Sequence, residues 1–188
     1  MNPAPIIPGL ILAPAPTNVF MLDIETAGLD FGSIILEIAI AEFNPDTTEI
    51  LREWSTTIDL LDSARLGMTL DAETADFHLR KKYSSDLRGP SLWRALNTLD
   101  VFLHLASESP VVWIWGMDFD TGHLKSACEA ANYKMPWHYT QGRDARTVWN
   151  LAFPNQKPET RQHRAAEDVR SQIGDLCKAL KIIKPREN

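Results

Sequence analysis

The stretch NVFMLDIETAGL, residues 18–29, decides the fold because it joins an apolar strand to a pair of acids. Residues 19–22 are typical of a buried strand, and Asp23 and Glu25 follow with only Ile24 between them. Side chains two residues apart on a strand point to the same face, about 7 Å apart. Two such carboxylates repel each other unless a positive charge lies between them. The pattern therefore indicates either a cation site or a strand that ends at Leu22 with two solvated acids.

Composition sets the class of protein. The 188 residues are 44% hydrophobic and 23% charged, which is ordinary for one globular domain. A net charge of −6 argues against a broad surface that tracks phosphates along a duplex, but not against a grip on one nucleic-acid end. Cys128 and Cys177 fall in helical patterns, so we expect reduced core residues and a cytoplasmic protein.

The first residues differ in composition from the rest. Residues 1–17 contain five prolines in MNPAPIIPGLILAPAPT and predict an extended arm ahead of one domain over residues 18–188. The arm has no basic region ahead of its apolar residues, so it is a poor signal peptide. No apolar stretch approaches the ~20 residues that span a bilayer, so we expect no membrane partner.

Hydrophobic periodicity predicts an α/β protein. Strands are predicted over 19–25, 34–43, 49–58 and the VVWIW segment. Helices are predicted in the segments that contain DAETADF, GPSLW, FDTGHL, RDARTVW and AEDVRSQ. Asp71 is predicted to cap the first of these helices, and Glu37, inside an apolar strand, is predicted to accept from a neighbouring donor. Three hairpin-linked strands followed by alternating elements predict a mixed central sheet flanked by helices.

Two later segments add acids to the pair. Asp120 is in helical register with Leu124, so it heads the face that packs on the sheet, whereas Asp118 is predicted to be the N-cap. His163 and Asp168 would diverge by roughly 140° within one helix. They can converge if His163 lies in the polar loop before the helix and Asp168 in its first turns.

Four acids from two strand ends and two helix starts predict a site for hard cations. Carboxylate oxygens suit Mg²⁺ or Mn²⁺ better than zinc. Two such ions about 3.5–4 Å apart can clamp the attacking and leaving oxygens of a phosphoryl displacement. An imidazole such as that of His163 can accept a proton from the attacking water near neutral pH. The residues alone thus predict a metal-dependent phosphodiesterase.

Three motifs in order resemble those of the DEDDh 3′–5′ exonucleases, the group that includes proofreading exonucleases and RNase T. LDIETAGL resembles the first motif, WGMDFDTGHL the second, and HRAAED the His-x-x-x-x-Asp third motif. The segment 70–103 and RDARTVW are similar to the exonuclease VIII-like and mycobacterial RNase-like branch, which includes phage members. The resemblance implies an RNase H-like three-layer fold and removal of nucleotides from 3′ ends.

The resemblance also implies roles for residues at matching positions. Two Mg²⁺ or Mn²⁺ ions would be bound by Asp23, Glu25, Asp120 and Asp168. His163 would be the general base. The turn after the first motif would hold the terminal nucleotide through Thr26, Gly28 and Leu29, although Leu29 could equally pack inward.

Two further substrate contacts are less specific. Relatives often carry paired aromatics where this chain has Phe77 and His78, so His78 could stack on a base or be an ordinary helix-surface residue. Arg146 could contact substrate or form a salt-bridged helix start with Asp144.

Two basic runs, residues 80–82 and Arg161 with Arg164, could contact phosphates or lie on solvated faces.

Two other functions fit the same fold. One is a catalytically silent domain that binds nucleic acid or docks a partner, which the complete set of acids opposes. The other is an RNase H-type endonuclease, which the His163 spacing opposes. The resemblance favours single-stranded 3′ ends and a homodimer, and the sequence leaves DNA and RNA open.

Overall fold

The computed structural model describes residues 17–81, 88–105, 107–158 and 161–183, with only the backbone of Leu79 and Lys81. The proline-rich arm up to residue 16 lies outside the described residues, as does the end of the basic run at 80–82. Among the described helices, none is both long enough and apolar enough to cross a membrane.

Within the part of the chain that the structure describes, five strands form one mixed sheet in the order β3-β2-β1-β4-β5. Their bounds are β1 Val19–Thr26, β2 Ile35–Phe43, β3 Ile50–Thr57, β4 Val111–Ile114 and β5 Gly142–Asp144. The first three pair antiparallel, and β4 and β5 run parallel to β1. The predicted mixed sheet is confirmed, whereas β5 was assigned to a helix because its three residues carry no apolar run.

The described residues form six α-helices beside the sheet. They are α1 Leu60–Arg65, α2 Ala72–Lys81, α3 Leu92–His104, α4 Met117–Ala130, α5 Ala145–Ala152 and α6 Ala165–Ile183. Asp71 caps α2 as predicted, since its Oδ1 accepts from the backbone N–H of Thr74 at 2.8 Å. Helix α1 was not predicted, because six residues are too few for a clear periodic pattern.

Two apolar clusters, one on each face of the sheet, make three layers. Phe20, Leu22 and Ile24 of β1 pack with α3 and α4. Met21, from the opposite face of β1, packs with residues of α5 and α6. Because helices cover both faces, all nine residues of β2 are buried, which explains its nearly continuous apolar sequence. The α/β prediction of a mixed central sheet flanked by helices in three layers is confirmed.

The carboxyl ends of β1 and β4 meet at one edge of the sheet. The two strands pair parallel up to Leu22 and Ile114, so Asp23 and the residues after it extend beyond the end of β4. Helix α4 begins at Met117, three residues after β4, and therefore starts beside this overhang. Ligand sites of α/β sheets lie at such carboxyl edges where neighbouring connections diverge.

Candidate metal and nucleic-acid site

A cavity of about 580 Å³ opens at this edge of the sheet. Its lining brings together all five predicted catalytic or metal-binding residues, which are Asp23, Glu25, Asp120, His163 and Asp168. The volume lies within the range of ordinary ligand sites. The catalytic roles of these residues remain predictions, but they share one cavity.

Three of the acids form a compact cluster. Asp23, Glu25 and Asp168 each place one carboxylate oxygen within 4.8 Å of the others. Strand alternation puts Asp23 and Glu25 on the face of β1 that α6 covers, and Asp168 reaches them from the first turn of α6. Glu25 is 8% exposed and Asp168 is 3% exposed, so water screens their mutual repulsion only weakly.

Asp120 supplies the fourth carboxylate from the first turn of α4. It is 5% exposed, and its Oδ2 has no hydrogen-bond partner among the described residues. The N-cap role predicted for Asp118 is wrong. The cap is Gly116, whose φ of 89° makes the tight turn from β4, and it gives no side-chain cap hydrogen bond. Asp118 is exposed to solvent instead.

Burial of these acids changes their protonation. Desolvation raises the pKa of Asp23 to about 7, and the Asp168 charge adds to the rise, whereas a hydrogen bond from Gln172 opposes it. Desolvation also raises the pKa of Asp120 well above its usual value, with the charges of Asp23 and Glu25 adding to the effect. A divalent cation would remove this cost by supplying positive charge among the oxygens.

The donor set fits hard divalent cations. It consists of carboxylate oxygens, one of which has no protein partner within the described chain. Such ligands suit Mg²⁺ or Mn²⁺, whereas soft metals prefer sulfur or imidazole. Asp23, Glu25, Asp120 and Asp168 are the residues that would hold the ions.

His163 lies in the loop before α6, as predicted, and Asp168 fixes the backbone of that loop. The Asp168 carboxylate accepts from the N–H groups of Gln162 and His163 at 2.7 and 3.0 Å. These bonds support His163 in a left-handed conformation, φ 54°, which is uncommon for residues other than glycine. The imidazole is exposed and lies edge-on to Phe77, with ring centroids 5.6 Å apart.

His78 corrects one of the two predicted alternatives. It is 5% exposed, so the helix-surface interpretation is wrong. Its Nε2 lies 3.7 Å from Oε2 of Glu25, inside the cavity lining. The ring therefore backs a predicted metal ligand, and stacking on a base remains an untested prediction.

The three residues predicted to hold a terminal nucleotide lie at the end of β1 and in the turn after it, and their surroundings differ. Leu29 is 72% exposed and lines the cavity, so the inward-packing alternative is wrong. Thr26 also lines the cavity, and its hydroxyl donates to the Gly28 carbonyl at 2.7 Å. Gly28 itself lies against Ser33, where a Cβ would approach the hydroxyl to 2.5 Å. Gly28 shapes the turn, and Leu29 presents its side chain to the cavity.

Arg146 reaches the cavity from α5 without the salt bridge predicted at the helix start. Its Nη2 donates to the carbonyl of Trp115 at 3.3 Å. Asp144 instead caps α5 by accepting from the N–H of Thr147 at 2.9 Å. The Arg146 cation lies close enough to Asp120 to oppose the rise in the pKa of that carboxyl.

Glu37 and the predicted basic residues near it are engaged in structural contacts. Glu37 Oε2 accepts from Arg164 Nε and from the N–H of Ala165, both at 3.2 Å, which confirms the tied glutamate. Arg161 donates to Asp175 at 3.0 Å and stacks 4.4 Å above the Trp115 ring. Arg161 still lines the cavity, whereas Arg164 holds the start of α6 against β2.

Several cavity residues were missed by sequence reasoning. They are Trp115, Phe119 and Gln172. Gln172 follows Asp168 by four residues, so helical spacing could have placed it on the same face of α6. Phe119 carried no signal, because an aromatic residue in a short amphipathic segment normally predicts core.

The chain matches one family over most of its length. The model of a family described as the 3′-5′ exoribonuclease Rv2179c-like domain matches residues 18–180. No curated protein matches the sequence closely enough to count as a relative. The exonuclease VIII-like assignment and a phage origin stay predictions.

Solved structures with the same fold come from DEDDh exonucleases. The nuclease domain of 3′hExo, "a DEDDh family member, bound to rAMP", gives a TM-score of 0.68 at 12% identity, covering 87% of this chain and 91% of that one. A 3′-exonuclease in "3′-end specific recognition of histone mRNA stem-loop" gives 0.66 at 11% identity, covering 87% of this chain and 63% of that one. Exonuclease I gives 0.67 at 12% identity over 89% of this chain and 41% of its own length. At these identities the likeness shows a shared fold, and it confirms the predicted RNase H-like architecture.

Proposed function

The chain belongs to the family of Rv2179c-like 3′-5′ exoribonuclease domains, and from that premise we propose that it removes nucleotides from 3′ ends by divalent-metal-dependent hydrolysis. The observation that carries the proposal is the acid cluster of Asp23, Glu25 and Asp168 with the unpartnered carboxylate oxygen of Asp120 beside it. A silent binding domain would gain nothing from four acids that oppose one another. Each cycle would release a nucleoside 5′-monophosphate and leave a shortened strand with a 3′-hydroxyl.

The four carboxylates would hold two Mg²⁺ or Mn²⁺ ions, which supply positive charge to the reacting phosphate when bound. Asp23 would serve both ions, because its charge interacts with that of Asp168 and with that of Asp120. Asp168 has a second task, because the same carboxylate holds the backbone of His163.

His163 would be the general base. It accepts a proton from the attacking water, and the exposed rim position of its ring leaves it open to both solvent and substrate. The oxygen that leaves becomes the 3′-hydroxyl of the shortened strand. The ring's contact with Phe77 supports an imidazole orientation toward the cavity.

An apolar side and a basic side of the cavity would bind the strand. Leu29, Phe77 and Phe119 present partly exposed apolar side chains for the terminal bases and sugars. Arg146 and Arg161 present guanidinium groups suited to phosphate. Few cations are needed, which agrees with a net charge of −6 for a protein that holds one end of a strand.

Substrate class follows from chemistry and from family. The family is described by its action on RNA, so we propose RNA 3′ ends as the preferred substrate, in single-stranded form. The 3′-exonuclease of the same fold is described with an mRNA stem-loop. We also propose that two copies of the chain form a homodimer. A measurement of the protein's mass in solution, with and without substrate, would test this.

The test uses the native chain with 5′-labelled single-stranded oligonucleotides of matched RNA and DNA sequence. With Mg²⁺ or Mn²⁺ we expect a ladder that shortens from the 3′ end, faster on RNA than on DNA. A blocked 3′ end should stop it, and chelator should abolish it. Internal cuts in a circular substrate, or tight binding without cleavage under every metal, would contradict the proposal.

The turn after β1, which carries Leu29, packs against α4 through an aromatic contact. Phe31 packs edge-on against the buried His123 ring, with centroids 5.5 Å apart. The contact depends on Gly122, because a Cβ there would come within 2.4 Å of the Phe31 ring. A side chain at 122 would therefore push away the residue that ties the turn to the helix.

Gly122→Ala should raise the KM for an oligonucleotide about fivefold, which corresponds to about 1 kcal/mol of lost binding. The reason is that displacing Phe31 loosens the turn that presents Leu29. The matched control is Gly174→Ala on α6, where nothing lies within 4 Å of an added Cβ. Both changes favour helix by up to ~1 kcal/mol, so steady-state kinetics and thermal melting of the pair separate the contact from propensity. Equal KM values in the two variants would show that the Phe31 contact does not position the turn.

A further inference from the structure

One amide side chain touches the acid cluster without being an acid or a base. Gln172 is 2% exposed, lines the cavity, and donates from Nε2 to Oδ1 of Asp23 at 2.7 Å. An ionised carboxylate only accepts hydrogen bonds, so the nitrogen end of the amide must face Asp23. We propose that Gln172 is a positioning residue that aims the Asp23 carboxylate at the metal ions, an inference that rests on the proposed function.

The first argument is directional. Asp23 lies among Glu25, Asp120 and Asp168, and repulsion from all three would turn a free carboxylate toward solvent. A donor fixed to Oδ1 holds the group in place and leaves Oδ2 available to a metal ion. Hydrogen bonds of this kind orient metal ligands, and their loss typically weakens metal binding 10- to 100-fold.

The second argument concerns charge. A lysine or arginine at position 172 would also orient Asp23. Its positive charge, however, would offset the carboxylate charge that attracts the metal ions. An amide donates a hydrogen bond and adds no net charge. The cation that does approach Asp23, Arg161, is bound instead to Asp175 and stacked on Trp115.

The third argument comes from the other end of the same amide. Its Oε1 is buried and has no hydrogen-bond partner among the described residues. A buried acceptor without a partner lowers the stability of the fold. A glutamine kept for packing would be improved by an apolar side chain of equal length, so this arrangement indicates a role other than stability.

Helix geometry makes the arrangement possible. Gln172 follows Asp168 by one helical turn, so both side chains face β1 from the same side of α6. Asp168 is steered by the N–H groups of Gln162 and His163, and Asp23 is steered by Gln172. Helix α6 and the loop before it thus orient two of the four acids through neutral donors.

The test compares native protein, Gln172→Met and Gln172→Glu, all made metal-free and titrated with Mn²⁺ in the absence of nucleic acid. We expect Gln172→Met to weaken Mn²⁺ binding 10- to 100-fold by calorimetry, with an unchanged or higher melting temperature in chelator. Gln172→Glu places an acceptor against Asp23 and should lower the melting temperature in chelator. Gln156→Met, at an exposed glutamine in the segment after α5, is the control and should match the native chain in both measurements.

Two results would overturn the inference. One is native Mn²⁺ affinity in Gln172→Met, and the other is a loss of affinity that only follows a lower melting temperature. If the native chain binds Mn²⁺ and shortens 3′ ends while Gln172→Met binds equally well, the positioning role fails and the proposed function stands. If the native chain does not bind Mn²⁺, both fail.

Discussion

Asp120→Asn will lower the rate of 3′-end cleavage by about a thousandfold and will leave the fold intact. Asp120 is 5% exposed and its Oδ2 has no partner within the described chain, so its charge is available to a metal ion. An amide of the same shape ligates such ions weakly, and losing several kcal/mol of stabilised transition-state charge corresponds to about three orders of magnitude. Single-turnover cleavage of a labelled oligonucleotide with saturating Mg²⁺ measures the effect.

The same helix offers a matched control. Asp118 has the same charge and lies two residues earlier, but it is exposed. Asp118→Asn should therefore keep the rate within about twofold of the native value, because an exposed charge is well screened. Equal losses in the two variants would mean that net charge, not the placed carboxylate, controls the reaction. A fully active Asp120→Asn would remove that residue from the metal site.

The stability of the metal-free chain should fall as the pH rises. The pKa of Asp23 is raised to about 7 and that of Asp120 well above its usual value. A carboxyl with a raised folded pKa binds its proton more tightly in the folded state. The stability from this is complete below the unfolded pKa and is lost as the pH rises through the folded pKa. The metal-free native chain should therefore melt at lower temperature at pH 8 than at pH 5, and Asp120→Asn should lose less over the same interval.

His163→Ala will lower the cleavage rate by about 10² to 10⁴ while Mn²⁺ binding stays native. Removal of a placed general base costs this much when water must lose its proton without help. The four carboxylates are untouched by the change, and the backbone bonds from residues 162 and 163 to Asp168 can still form. Single-turnover rates together with a Mn²⁺ titration separate a loss of chemistry from a loss of metal.

His104→Ala is the control for the second variant. His104 is an exposed histidine at the end of α3, paired with Asp100 of its own helix. It should cleave at the native rate and bind Mn²⁺ as the native chain does. Native cleavage by His163→Ala would show that another group, or solvent, takes the proton, and weaker Mn²⁺ binding would assign His163 a structural role through its loop.

Local pattern predicted the parts of the fold that carry a period. The alternation in β1 put Asp23 and Glu25 on one face, and the helical register placed Asp120 at the head of a buried stripe. The polar loop before α6 was predicted to hold His163, and it does. Each of these depends on residues close in sequence, where strand and helix geometry fix the direction of a side chain.

The predictions that failed depended on neighbours distant in sequence. A helix surface is one of the two positions that the sequence allows for His78, and the residue is instead buried beside Glu25 of β1. Asp118 was assigned the cap, but a left-handed Gly116 makes the turn from β4 and leaves Asp118 in solvent. Strand β5 has no apolar run of its own and exists because β4 offers it a parallel edge.

The sequence by itself determined that four acids and a histidine stand at the ends of strands and the starts of helices. Only the tertiary structure decided that α6 packs on the face of β1 that carries Asp23 and Glu25, so that one carboxylate oxygen each of Asp23, Glu25 and Asp168 comes within 4.8 Å of the others. It alone brought Gln172 onto Asp23, across 149 residues of chain. The physical reason is that periodicity fixes which way a side chain points, whereas the packing of α4 and α6 against the sheet fixes which side chains meet.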